Sequence, residues 1–172
     1  VLNFDVHQAD LADLPQPLRR NFHQVIANPP YAAPGTAARD EGRALALQGA
    51  RPLADWIDAG ARRLAHGGWL TLILATPQLE TALACLAPRL GSCILLPLAP
   101  RMGQEAHRII LRARKGGRGP LRLLPPFVLH EGTAHDGDRD SYSPAARAIL
   151  RGGEALPLPA AQRRATRQDA AH

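Results

Sequence analysis

The sequence predicts an α/β fold: a doubly wound, mostly parallel sheet with an antiparallel strand near its edge. Three observations lead there. Trp69 to Ala75 is a near-continuous apolar run, Trp-Leu-Thr-Leu-Ile-Leu-Ala, as suits a central parallel strand covered on both faces. Apolar residues at helical spacing lie before and after that run, so strand and helix alternate. Only Pro100 to His107 separates the strand-like runs Cys93 to Leu98 and Arg108 to Arg114, too little for a crossover helix, so these two strands pair antiparallel.

In chain order, Val1 to Val6 reads as a strand through Val1, Leu2, Phe4 and Val6. Asp10 and Asp13 fall in the loop after it, where open α/β sheets bind ligands. Asp10 can accept from the amino group of an adenine ring while the backbone at Leu11 meets the ring's Watson–Crick edge; a solvated loop carboxylate is the alternative. Asp13 suits a turn before Pro15. After the connector Pro15 to Asn21 comes His23-Gln24-Val25-Ile26-Ala27, a short strand ending in apolar residues. Ala32 to Gln48, rich in alanine, glycine and charge, reads as a loop near the substrate mouth, with a short helix at Ala44 to Gly49.

Pro52 starts a clearer helix, with Leu53, Trp56, Ile57, Gly60, Ala61 and Leu64 on its buried face and His66-Gly67-Gly68 as its stop. A second helix spans Gln78 to Leu90, closed by Gly91. Lys115 to Pro120 is a glycine-rich turn without the strand-to-helix setting of a phosphate loop. Leu121 to Leu124 and Phe127 to His130 are candidate edge strands, Glu131 to Asp140 is a polar loop, and Ser143-Pro144 opens a helix through Leu150 that Gly152-Gly153 ends. Residues 1–158 form one domain, and 159–172 a disordered basic tail whose Arg163, Arg164 and Arg167 are solvated or touch RNA.

The chemistry concentrates at Asn28-Pro29-Pro30-Tyr31. Two prolines forbid continuation of the strand before them, and Asn28, preceding proline, is pushed out of the helical region. The Asn28 amide oxygen and the Pro29 carbonyl are then acceptors at a corner, and Tyr31 offers a flat ring. A planar amino group on a ring needs acceptors for its two hydrogens and a face to stack on. An ordinary strand-ending turn is the other reading of the bare tetrapeptide.

The formal charge is +6, and of 21 basic residues only Lys115 is lysine. That balance favours a polyanionic partner, nucleic acid first, although arginine with abundant alanine also reflects base composition. No apolar run is long enough to span a membrane and no leader pattern opens the chain, so a cytoplasmic location is expected. Cys85 and Cys93 lack zinc-site spacing and read as buried reduced thiols, and no metal is expected.

The order of elements resembles the class I S-adenosylmethionine-dependent methyltransferases from their third strand onward. The resemblance implies a Rossmann-like methyltransferase fold lacking the first two βα units. Ala9-Asp10-Leu11 matches the acidic position after the third strand, and Val25 to Tyr31 the fourth strand with its Asn-Pro-Pro-Tyr motif. Within that family the chain is most similar to the bacterial tRNA(Val) adenine N(6)-methyltransferases. That likeness runs through His66-Gly67-Gly68-Trp69-Leu70, Pro100-Arg101-Met102-Gly103, Arg112-Ala113-Arg114-Lys115-Gly116, His130-Glu131 and Ser141-Tyr142-Ser143-Pro144.

The resemblance implies S-adenosylmethionine as cofactor and methyl transfer to an adenine amino group in tRNA. It makes Asn28, Pro29, Pro30 and Tyr31 the catalytic group, and Asp10, Leu11 and Asn28 the cofactor contacts. Tyr31, Arg39, Arg43, Arg101 and Arg112 are the candidate contacts to tRNA. The family's glycine-rich loop after its first strand and the acidic residue after its second have no counterpart here, so 172 residues alone are expected to bind S-adenosylmethionine weakly or not at all. Methylation of a protein glutamine amide and a noncatalytic RNA-binding fragment are the rival readings.

Overall fold

The computed structural model describes residues 4–30, 51–132 and 141–159. Their elements are a 3-10 turn at Gln16–Leu18, β1 (Phe22–Ala27), α1 (Leu53–Arg63), β2 (Leu64–Ala75), a 3-10 turn at Thr76–Gln78 and α2 (Leu79–Leu86). These are followed by β3 (Leu90–Ala99), β4 (Arg108–Lys115), β5 (Arg122–Leu123), β6 (Phe127–Val128) and α3 (Pro144–Gly152). The strands form one sheet in the order β1-β2-β4-β3-β5, with β6 also on β3. β1 runs parallel to β2, while β4 runs antiparallel to both β2 and β3. The antiparallel hairpin expected at Pro100 to His107 is therefore present, and β5 and β6 fall where short edge strands were expected.

β2 carries the core. Leu70, Leu72 and Leu74 are fully buried on one face, with Ile109, Leu111 and Ala113 of β4 beside them and Ile57, Ala61, Ala82 and Leu86 of the two helices above. α1 comes close because Gly60 has no side chain: a Cβ there would lie 2.8 Å from Leu70 Cδ1 and 3.6 Å from Val25 Cγ1. Both α1 and α2 lie over this one face, whereas the apolar run suggested cover on both. Thr71 and Ile73, pointing the other way, are only half-buried.

Three boundaries differ from the sequence expectation, each for a physical reason. Residues 4–6 are outside any strand, with Phe4 80% and Val6 93% exposed. A strand needs a neighbour for its backbone groups, and none of the described strands lies beside this segment. α1 ends at Arg63 rather than at the glycines, because Leu64 turns extended and pairs with Phe22 of β1. The glycines instead form a bulge inside β2, where Ala65, His66, Gly67 and Gly68 stand between the pairs Phe22–Leu64 and Gln24–Trp69, against His23 alone on β1. Gly67 takes φ +77, and a Cβ on Gly68 would sit 3.0 Å from the His23 and Ala65 carbonyls. α2 stops at Leu86: Ala87 keeps helical dihedrals and donates to the Leu83 carbonyl, but Pro88 has no N–H to continue the ladder, and Leu90 already opens β3. α3 follows expectation: Ser143 Oγ accepts from Ala146 N at 3.2 Å, and Gly153 closes it at φ +70.

Lys115, at the end of β4, donates to the Ala61 and Leu64 carbonyls at 2.9 and 2.7 Å. A cation thus satisfies the C-terminal carbonyls of α1 and joins that helix to the far side of β2. We predict that Lys115→Met lowers the unfolding free energy by about 2 kcal/mol, the scale of charged hydrogen bonds lost from a partly buried site. Urea denaturation measures it; an unchanged midpoint would contradict the tie.

Candidate amino-group methyl-transfer site

Because β1, β2 and β3 are parallel to one another, their C-terminal ends meet at one rim of the sheet. Three proline-containing corners stand there: Asn28-Pro29-Pro30 after β1, Thr76-Pro77-Gln78 after β2 and Pro100-Arg101 after β3. Pro29 is fully buried and anchors its corner, while Asn28 is exposed beside it. Gln78 joins two of the corners, accepting from Ala75 N at 3.2 Å and donating to the Pro30 carbonyl at 3.5 Å. Thr76 joins the third: its hydroxyl donates to the Ala106 carbonyl at 2.6 Å, and its amide to that of His107 at 3.0 Å. Gln78 and Thr76 carry no sequence signal, since their partners lie 48 and 30 residues away.

The rim continues into the end of β6. His130 N donates to the Pro100 carbonyl at 2.9 Å, and the His130 ring stacks on Tyr142 with centroids 5.0 Å apart. Arg101 is only 8% exposed and its guanidinium donates to the Glu131 carbonyl. It therefore fastens the rim internally and offers little surface to a phosphate, contrary to its expected role. Arg112 is not at the rim at all. It lies in mid-β4 opposite Thr71, with its guanidinium 4.6 Å above the Trp69 ring and donating to Gln24 Oε1 at 3.3 Å. Burial lowers its pKa from the ordinary arginine value. Tyr31, Arg39 and Arg43 lie outside the described residues.

Asp10 is exposed, but its carboxylate already has partners. It accepts from Ala12 N at 2.8 Å in a local turn, and Arg51, just before α1, pairs with it at 2.6 Å. Leu11 lines an open cavity of about 310 Å³ with Ala12, Leu14, Arg19, Ala59, Arg62 and Arg63. Asp13 pairs with Arg19 at 2.7 Å. Among the described residues no glycine-rich loop links a strand to a helix, so they supply a proline corner and an acidic turn rather than a complete cradle for S-adenosylmethionine. No His, Cys, Asp and Glu cluster among them could hold a metal, and none of their helices is long and apolar enough to cross a membrane. Cys85 and Cys93 are free and half-buried, and burial raises the Cys93 thiol pKa.

The hydrogen bond from Arg51, then that from Ala12 N, lowers the Asp10 pKa from its ordinary value. A depressed carboxyl stabilises the fold above the unfolded-state pKa, and that contribution fades as pH falls through the lower folded value. We predict that Arg51→Gln moves the Asp10 pKa back up towards the ordinary carboxylate value of about 3.9, read by carboxyl-carbon NMR titration. No upward movement would show that the pair does not hold Asp10 in solution.

No protein-family model matches the chain. It is 32% identical over 84 residues to the tRNA1(Val) (adenine(37)-N6)-methyltransferase of Haemophilus influenzae strain 86-028NP, covering 46% of this chain and 36% of that protein. The protein of the same name from Actinobacillus succinogenes is 28% identical over 116 residues, 64% of this chain and 46% of its own length. The chain thus spans less than half the length of these curated relatives. A solved structure from Agrobacterium tumefaciens, described as a predicted O-methyltransferase, superposes with a TM-score of 0.63 at 24% identity, over 87% of this chain and 63% of that one. The fold is Rossmann-like, as in that structure, and in sequence the chain is similar to part of proteins named tRNA1(Val) (adenine(37)-N6)-methyltransferase.

Proposed function

We propose that residues 1–158 are the C-terminal part of a cytoplasmic methyltransferase domain that accepts the exocyclic amino group of an adenine in tRNA, with S-adenosylmethionine as methyl donor. The observation that carries this reading is the Asn28-Pro29-Pro30 corner at the C-terminal end of β1, held by buried Pro29 and by Gln78. The names of the curated relatives support tRNA as substrate.

The nitrogen to be methylated is a poor nucleophile because its lone pair is delocalised into the ring. The Asn28 amide oxygen and the Pro29 carbonyl accept its two hydrogens, favour a tetrahedral nitrogen and fix where the lone pair points. Proline suits such a corner, since it presents a carbonyl with no N–H competing for it. The corner acts by positioning and by electrostatics. When bound, S-adenosylmethionine supplies a methyl group on a sulfonium. The adenine has to leave its stack to reach the rim, and Tyr31, directly after Pro30, is assigned to replace the lost stacking.

The test is methyl incorporation into tRNA and into release-factor protein, by the 172-residue chain alone and by the chain joined to whatever coding sequence precedes Val1. The expected outcome is label in tRNA, with Asn28→Ala lowering kcat about 100- to 1,000-fold and Asn28→Asp retaining part of the rate. Label only in protein would move the reading to glutamine amides. No label in either, with RNA still bound, would leave a noncatalytic RNA-binding chain.

A further inference from the structure

The loop from β3 to β4 stands on the same rim as the Asn28 corner and is braced from three sides. The Pro100 carbonyl accepts from His130 N at 2.9 Å, buried Arg101 donates to the Glu131 carbonyl, and Thr76 donates to the Ala106 and His107 carbonyls. Between these braces the chain reverses in a turn closed by Gln104 N on the Arg101 carbonyl at 3.2 Å, with Gly103 at φ +74. Met102 is at the tip of that turn, 83% exposed. No described atom beyond the adjoining residues lies within 4 Å of where a Gly103 Cβ would stand, so the tip projects clear of the rest of the rim.

Single exposed apolar residues are ordinary on protein surfaces. This one differs in being carried by a fixed turn at the rim where the substrate base has to leave its stack. Gly103, Gln104 and Glu105 beside it are exposed and not apolar, so the tip offers one apolar side chain and not the patch that a protein partner covers. A slit between two bases does take a single chain of this kind: methionine is unbranched and polarisable, and apolar side chains of its sort enter unstacked base steps. A base taken out of its stack swings about its backbone, so the site that receives it and the group that fills its place stand apart. β4 and β3 lie two and three strands from β1 in the sheet. At the usual strand spacing that is about 10 and 14 Å, so the loop joining them is displaced from the Asn28 corner along one rim.

We propose that Met102 is a wedge that enters the RNA stack when the target adenine is extruded towards the Asn28-Pro29-Pro30 corner. The inference rests on the reading of that corner as the acceptor of an adenine amino group. Met102 is a positioning residue: it touches the bases on either side of the target and keeps the vacated gap from closing, which holds the adenine out. Because the loop is already fixed by its three braces, it loses little further freedom on insertion.

The experiment uses the full product of the gene and tRNAs assembled from synthetic halves, with loop adenines replaced one at a time by 2-aminopurine, whose fluorescence rises when it leaves a stack. One position is expected to brighten on binding. At saturating protein Met102→Ala should lose most of that rise and Met102→Leu should keep it. Met102→Ala should also bind tRNA about tenfold more weakly, the scale of one apolar side chain withdrawn from burial. Both substitutions fall on an exposed tip outside the core, and far-UV circular dichroism checks that the fold is kept. An equal rise with Met102→Ala would overturn the wedge, while methyl label in tRNA would still uphold the amino-group reading. A tRNA that binds with no position brightening, or does not bind, would also overturn it, and methyl label in protein alone would then remove the tRNA reading as well.

Discussion

The fold depends on β2 being paired from both sides by strands of opposite sense. β1 holds it in parallel and β4 in antiparallel, and the three leucines that β2 sends to one face make the floor on which both helices sit. Because β4 returns by a short hairpin from β3, the Pro100 to His107 loop lands at the same rim as the corners after β1 and β2. Thr76 then ties that loop to β2, and Gln78 ties β2 to the Pro30 carbonyl. The site's rigidity is thus borrowed from the strand register.

Much of this was legible in the sequence. The run Trp69 to Ala75, the antiparallel hairpin and α3 with its Ser143 cap follow from periodicity and turn chemistry that act over a few residues. What misled were signals whose meaning depends on a partner distant in sequence. Gly67-Gly68 has the composition of a helix stop, but the neighbouring β1 carbonyls make it a bulge. Val1 to Val6 has strand propensity, yet propensity without a neighbour leaves residues 4–6 outside any strand. At the site, Asn28 to Pro30 was readable because prolines act on their own backbone. Arg51 beside Asp10 and Gln78 beside Pro30 were not, being contacts across 41 and 48 residues.

The arginines show why a net charge of +6 is not a count of contacts to a polyanion. Arg51 is spent on Asp10, Arg19 on Asp13, and Arg62 and Arg89 both on Asp58, which joins α1 to the turn after α2. Arg101 is spent on a backbone carbonyl, and Arg112 lies on the Trp69 ring. Each of these contacts leaves the net charge unchanged while committing some of a guanidinium's donors, even where the side chain stays on the surface, as at Arg19, Arg62 and Arg89. Long-range attraction of a nucleic acid depends on the net charge and survives this pairing, but fixing its register needs uncommitted donors. In the proposed reading, recognition of one amino group falls to neutral acceptors at the Asn-Pro-Pro corner, which buried Pro29 and the Gln78 hydrogen bond to the Pro30 carbonyl hold in place.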